Sequence, residues 1–151
     1  MQRIHKNIFC KIIFRKIIFY GIVGNVWERL CQTAVSGNEL FGHTWGMARR
    51  WWGKAPVYED GRKTPVGSED LEFDVVAEAI GDKNTILVGE CKWKSADYAD
   101  RLLAKLKAKT EKAPFSQGKN IVYVLFLKER PLSEADCSVL YPDDVLKYQP
   151  E

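Results

Sequence analysis

The sequence predicts an α/β domain built on one mixed sheet, and three observations carry that prediction. Residues 71–80, LEFDVVAEAI, alternate apolar and polar side chains as a half-buried strand does; after the turn signal GDKN, TILVGECKW returns as its hairpin partner. NIVYVLFL, 120–127, is a continuous apolar run of strand length, which suits a strand covered on both faces. Helical patterns precede the hairpin and separate it from the last run, so the order is helix, three strands, helix, strand. A chain of 151 residues is long enough to bury one real core and too short for two large ones.

The first twenty residues, MQRIHKNIFCKIIFRKIIFY, are set apart as an uncertain segment, and 21–151 are taken as the domain. Lys11, Arg15 and Lys16 interrupt the apolar residues, and the longest uncharged stretch, Ile17 to Val23, is far shorter than the roughly 20 residues that span a bilayer. No membrane span is expected, and a cytoplasmic location is. The spacing of the basic residues suits an amphipathic helix and the Ile and Phe content a strand, so both stay open, as does docking on a partner or on anionic lipid.

GNVWERLCQTAV, 24–35, reads as a helix with Val26, Leu30 and Ala34 on one stripe and Trp27 beside it; Glu28 and Arg29 lie off the stripe. TWGMARRWWG reads as a strand, and the Gly, Pro, Asp and Ser of GKAPVYEDGRKTPVGSED as a loop. In the hairpin, Leu71, Phe73, Val75 and Ala77 are placed on one face and Glu72, Asp74, Val76 and Glu78 on the other. SADYADRLLAKLKAKTEKA reads as a helix capped by Ser95, with Asp97 and Asp100 in its first turns, a stripe of Ala99, Leu102, Leu103 and Leu106, and a stop at Pro114. The remainder, around SEADCSVLYPDDVL, is expected to hold one short helix and a tail.

Composition narrows function only modestly. The formal charge of +3 is a mild pointer to polyanions. Cys10, Cys31, Cys91 and Cys137 show no paired spacing and no histidine cluster, which argues against a zinc site and a disulfide scaffold and for reduced thiols. His5 and His43 are isolated and read as surface or structural residues.

The chemistry gathers at VGECKWK, 88–94. Glu90 and Lys92, two apart on a strand, point to one face, and acids and lysines are rarely buried unless paired. Counting from Asp82 in the turn, Asp74 lies eight residues before and Glu90 eight after, so the hairpin sets the two carboxylates opposite each other. Like charges in that position repel. Lys92 offsets part of the repulsion, and a magnesium ion, which takes a few carboxylate oxygens and keeps waters, suits the rest. The Cys91 backbone carbonyl supplies a further oxygen. With a metal there to polarise a phosphoryl oxygen and acidify bound water, Lys92 is placed to orient the water or neutralise developing charge. Glu90-Cys91-Lys92 is the only E-x-K in the chain. The ordinary alternative is a surface ion pair at a strand end.

Asp74, then Glu90-Cys91-Lys92, with Glu28 on an upstream helix, resemble the PD-(D/E)XK nucleases of the restriction-endonuclease-like fold, with Phe73 in place of the family's often-missing proline. More narrowly, GNVWERLC, RRWWG, EFDVVAE and GECKWK look like the C-terminal domain of unknown function that follows an AAA-type ATPase in many archaeal and bacterial proteins. The resemblance spans about Gly21 to Lys94, with the element order continuing to about Leu127. It implies an αβββαβ core with helices flanking the sheet, and metal-dependent hydrolysis of DNA phosphodiesters with Mg²⁺ or Mn²⁺. Asp74 and Glu90 would hold the metal, Lys92 would assist the water, and Glu28 would bind metal directly or through water. Two departures stand out: GRKTPVGS lacks the ending of a Walker A motif, so the ATPase would be a separate domain or chain, and the first twenty residues fit the family poorly, which suggests a truncation remnant.

For nucleic acid, Arg49, Arg50, Lys94, Arg101 and Lys105 are the candidates. Trp51 and Trp52 are expected in the core, and the spacing of Arg101, Lys105 and Lys109 fits a phosphate backbone or a solvated face equally. Two readings follow: a magnesium-dependent nuclease acting on DNA, with RNA not separable from it, or a catalytically silent module that binds DNA or docks on an ATPase.

Overall fold

A computed structural model describes residues 21–94 and 98–151. Helix α1 occupies 21–35. A two-stranded ribbon, β1 (Glu39–Leu40) and β2 (His43–Thr44), then leads to β3 (Arg49–Val57), β4 (Gly67–Ala79), β5 (Asp82–Lys92), α2 (Ala99–Lys112), a 3₁₀ turn at Pro114–Ser116, β6 (Asn120–Leu127), β7 (Ser138–Leu140) and α3 (Pro142–Leu146). The five main strands form one mixed sheet in the order β3-β4-β5-β6-β7. Strands β3, β4 and β5 are antiparallel and β5, β6 and β7 parallel. This is the expected α/β fold, extended by the ribbon and by β7.

Each face of the sheet carries its own apolar layer. Trp27, Cys31, Ala34 and Val35 of α1 pack with Val75, Ala77, Leu87, Cys91, Val124 and Phe126. Leu103 and Leu106 of α2 pack on the other face with Leu71, Phe73, Ile86, Val88, Leu125 and Leu127. The run Val124 to Leu127 is fully buried because successive side chains enter opposite layers.

Several expectations are corrected. The buried stripe of α1 is Trp27, Cys31, Ala34 and Val35, and Val26 is exposed, because the helix turns its tryptophan to the sheet, where Nε1 donates to the Phe126 carbonyl at 3.3 Å. Trp27→Phe keeps most of the ring and removes a second donor from a carbonyl that also lies in the β5–β6 ladder; we expect a loss of about 0.5–1.5 kcal/mol, read by urea unfolding. Strand β3 starts at Arg49 and runs through Val57, so the loop shrinks to 58–66. Pro56 is tolerated because β3 is an edge strand. Helix α2 begins after Tyr98, not at Ser95. Tyr98 is held extended by a bridge to Ser133, whose hydroxyl donates to Asp100 Oδ1. On α2 the buried stripe is Ala99, Leu103, Leu106 and Thr110, with Leu102 only half-buried. The C-terminal stretch holds a strand, β7, as well as the short helix.

The most consequential difference lies in β4. Between the pairs Arg49↔Val76 and Trp51↔Phe73, β3 advances two residues and β4 three. The extra residue is a bulge over 74–75, and it switches the facing of everything after it. Leu71 and Phe73 therefore join the α2 layer, whereas Val75, Ala77 and Ala79 join the α1 layer. The single apolar face read from the sequence is two.

The expectations for 1–20, and those for Ser95 and Asp97 as side chains, fall outside the described residues. No helix among the described residues is long and apolar enough to cross a membrane.

Candidate functional site

The hairpin register brings the two acids of the motif together. Val75 pairs with Gly89 and Val76 with Val88, so the next position along sets Asp74 opposite Glu90. The bulge at this point turns Asp74 out of the strand's regular alternation. Its Oδ2 accepts the Cys91 N–H at 2.8 Å, and Gln32 Nε2 of α1 donates to its backbone carbonyl at 2.8 Å. Asp74 is thus held at the parting of β4 and β5 by one bond from β5 to its carboxylate and one from α1 to its backbone.

Glu90, with only 13% of its side chain exposed, is gripped by two ammonium groups: Lys92 Nζ lies 3.1 Å from Oε1 and Lys109 Nζ 3.2 Å from Oε2. Glu28 of α1 approaches from the other side, but its carboxylate is taken by the Arg50 guanidinium, which also reaches Glu72 at 3.1 Å. Four carboxylates, Glu28, Glu72, Asp74 and Glu90, therefore meet three cations, Arg50, Lys92 and Lys109.

The missing positive charge is felt at Asp74. Burial, reinforced by the charges of Glu90 and Glu28, pushes its pKa up to about 6 against the pull of the Cys91 N–H and Lys92. Lys92 is shifted up as well, the ordinary direction for a lysine beside carboxylates. Burial opposes its charge, but Glu90 and then Asp74 outweigh that and hold the ammonium above its ordinary range. It is a fixed cation and donor, not a base. Burial, with Cys31 alongside, raises the Cys91 thiol well beyond its usual range and leaves it inert; the residue serves the site through its backbone.

Asp74 and Glu90 are the acids that could hold a cation, Glu90 by giving up a lysine contact. Among the described residues no three acidic, histidine or cysteine side chains gather as a metal cage. A cation here would rest on two carboxylates and keep waters, which is ordinary for magnesium, and the surplus negative charge at Asp74 fits it. Glu28 lies near enough to act on Asp74 electrostatically while bonded to Arg50.

The candidates for nucleic acid are scattered. Arg50 is engaged by acids, and Arg49 donates to Met47 Sδ at 2.9 and 3.1 Å. Arg101 stacks on the Tyr98 ring at 4.3 Å, and Lys94 and Lys105 are exposed. Trp51 packs edge-on against Phe73 and Phe115, as expected of a core residue, but Trp52 is 74% exposed, because alternation along β3 sends it to the other face. Lys109, Glu72 and Gln32 belong to the site and were not among the residues expected there. For Lys109 the signal was its place beside Leu106 and Thr110, at the shoulder of the buried stripe of α2.

Residues 2–110 match the domain family DUF234, archaeal and bacterial proteins of unknown function. The chain belongs to that family. The match takes in the amino-terminal segment as well as the whole of the hairpin and most of α2. No curated protein and no solved structure matches the chain significantly.

Proposed function

We propose that this DUF234 chain is a metal-dependent nuclease of the PD-(D/E)XK kind, with a restriction-endonuclease-like core, acting on DNA and working beside an AAA-type ATPase. The observation that carries the reading is the pair Asp74 and Glu90 at the parting of β4 and β5, with Lys92 bonded to Glu90 and Asp74 left short of positive charge. A packed core has no use for such an arrangement, because an uncompensated buried acid destabilises the fold that holds it.

A bound Mg²⁺ or Mn²⁺ would supply Lewis-acid polarisation of the phosphoryl oxygen and an acidified water. Asp74 and Glu90 would hold it. Lys92, kept cationic by Glu90 and Asp74, would neutralise negative charge that develops on a phosphoryl group held there. Arg50, shared between Glu28 and Glu72, lies beside this centre and orients a neighbouring phosphate when either acid releases it. The exposed Trp52 offers a stacking surface two residues along β3.

The test is manganese titration of the purified chain followed by thermal unfolding and cleavage of linear and branched DNA. Saturating metal at about 100 times its Kd is expected to add roughly 2.7 kcal/mol of stability, and Glu90→Gln to lose both that gain and cleavage. A well-folded wild type showing neither response sinks the proposal.

One observation favours a second reading, a silent module that binds DNA or docks on an ATPase. Glu28 and Glu90 are already engaged by Arg50, Lys92 and Lys109, a network that stands without metal. Under that reading DNA is bound in EDTA as well as in manganese.

A further inference from the structure

Beyond Val75↔Gly89 the regular pairing of β4 with β5 ends: the Cys91 N–H is turned to the Asp74 side chain. Two strands carrying facing acids would spread at this point unless something drew them together. The Lys109 ammonium stands in that gap. It donates to the Glu72 carbonyl of β4 at 2.6 Å and to Glu90 Oε2 of β5 at 3.2 Å, and lies 4.6 Å from the centre of the Phe73 ring.

We infer that Lys109 is a positioning residue, a strap from α2 that fixes the separation of β4 and β5 and thereby where the Glu90 carboxylate stands. Its consequence for cleavage rests on the nuclease reading above; the strap itself does not. An ammonium has three donors, and those of Lys109 face a carbonyl, a carboxylate and an aromatic face. Nothing is left over for a phosphate. Only 28% of its side chain is exposed, whereas Lys105, one turn earlier, is open to solvent. The helix makes this reach possible: Leu106 and Thr110 are buried on the sheet, and Thr110 Oγ1 ties back to the Leu106 carbonyl at 2.7 Å, so the Lys109 stem leaves α2 from a firmly seated turn. Lys92 contributes to the other Glu90 oxygen from the same strand, and so cannot hold β4 to β5.

The experiment compares the full chain with Lys109→Met, Lys109→Arg and Lys105→Met. In metal-free protein, amide exchange at Cys91 is expected to quicken at least about tenfold in Lys109→Met, since the bond to Asp74 opens when the strands part. Lys109→Arg, which keeps charge and donors, restores most of the protection, and Lys105→Met leaves it unchanged. In manganese, the metal concentration giving half the thermal stabilisation rises about 10- to 100-fold for Lys109→Met, the usual effect of losing a group that orients a ligand. The kcat falls while KM for DNA stays within about twofold. Unchanged Cys91 exchange in Lys109→Met overturns the inference. So does a rise in KM at constant kcat, which makes Lys109 a phosphate contact. Should methionine at this position not fold, Lys109→Gln, shorter and neutral, carries the same comparison. A wild type inert to manganese and DNA would end the nuclease reading, and the exchange result would still decide the strap.

Discussion

Asp74→Asn is expected to abolish the proposed cleavage and, above pH 6, to make the protein more stable. The two effects have one origin. Asp74 titrates at about 6 in the folded chain, raised by burial and by Glu90, against roughly 3.9 when unfolded. The folded state thus binds this proton more tightly than the unfolded one. Stability from this group is fully present below pH 4, is lost as pH rises from about 4 to about 6, and stays lost above that. The ionised carboxylate costs the fold roughly 3 kcal/mol at neutral pH. Asparagine keeps an oxygen for the Cys91 N–H and removes the charge. Urea unfolding at pH 7.5 is therefore expected to show the variant more stable by up to about 3 kcal/mol, with the curves converging near pH 4. Saturating manganese should lift the same penalty in the wild type and do nothing for the variant. Cleavage should fall roughly 10³-fold or more, the several kcal/mol of charge stabilisation that a lost metal withdraws. Parallel stability curves from pH 4 to 8 would mean that Asp74 is not the uncompensated acid of this site.

The facing of Asp74 and Glu90 was reached by a count that an irregularity makes good: the turn's own pairing, Ala79↔Asp82, carried straight on would set Asp74 opposite Leu87. Counting from Asp82 gives the same pairing as Val75↔Gly89. The tight turn itself sits at Ile80-Gly81, with Gly81 at φ 84, and a shift after Glu78 absorbs the difference. The bulge could not be read. Leu71, Phe73, Val75 and Ala77 are all apolar, and apolar layers cover both faces of the sheet, so alternation gives no sign of where the facing switches. Trp52 was misplaced for a related reason. An aromatic residue in a strand is assigned to the core by composition, whereas the outer position on an edge strand is set by the register with Glu72. Lys109 was hidden by distance along the chain. Its spacing from Lys105 describes the surface of α2 and contains nothing about Glu72 and Glu90, which it meets only once the helix is laid across the hairpin. Charge pairing across layers is not written locally.

Gly89→Val is expected to damage fold and site together, because the position next to Glu90 also leaves no room for a side chain in the α1 layer. A Cβ there would lie 2.7 Å from Phe126 Cε2 and 3.1 Å from Val75 Cβ. Neither neighbour can yield easily: both are fully buried, with β6 locked to β5 on one side and β4 on the other. Overpacking of this kind costs about 3 kcal/mol, which lowers Tm by roughly 6–12 °C in a domain of this size. The relief available is for β4 to move away from β5, and that displaces Asp74 from Glu90 and strains the bonds from Cys91 and Lys109 that span the gap. Cleavage should consequently fall at temperatures where circular dichroism still reports a folded variant. Gly81→Ala provides the contrast. Gly81 needs its positive φ, so alanine costs about 1–2 kcal/mol, but nothing lies within 4 Å of the added carbon and the turn is at the far end of the hairpin. That variant should lose stability and keep its activity. If Gly89→Val were destabilised to the expected extent and cleaved DNA like the wild type, the spacing of the two acids would not be set by the packing behind them, and the site would owe its geometry to the Asp74, Lys92 and Lys109 contacts alone.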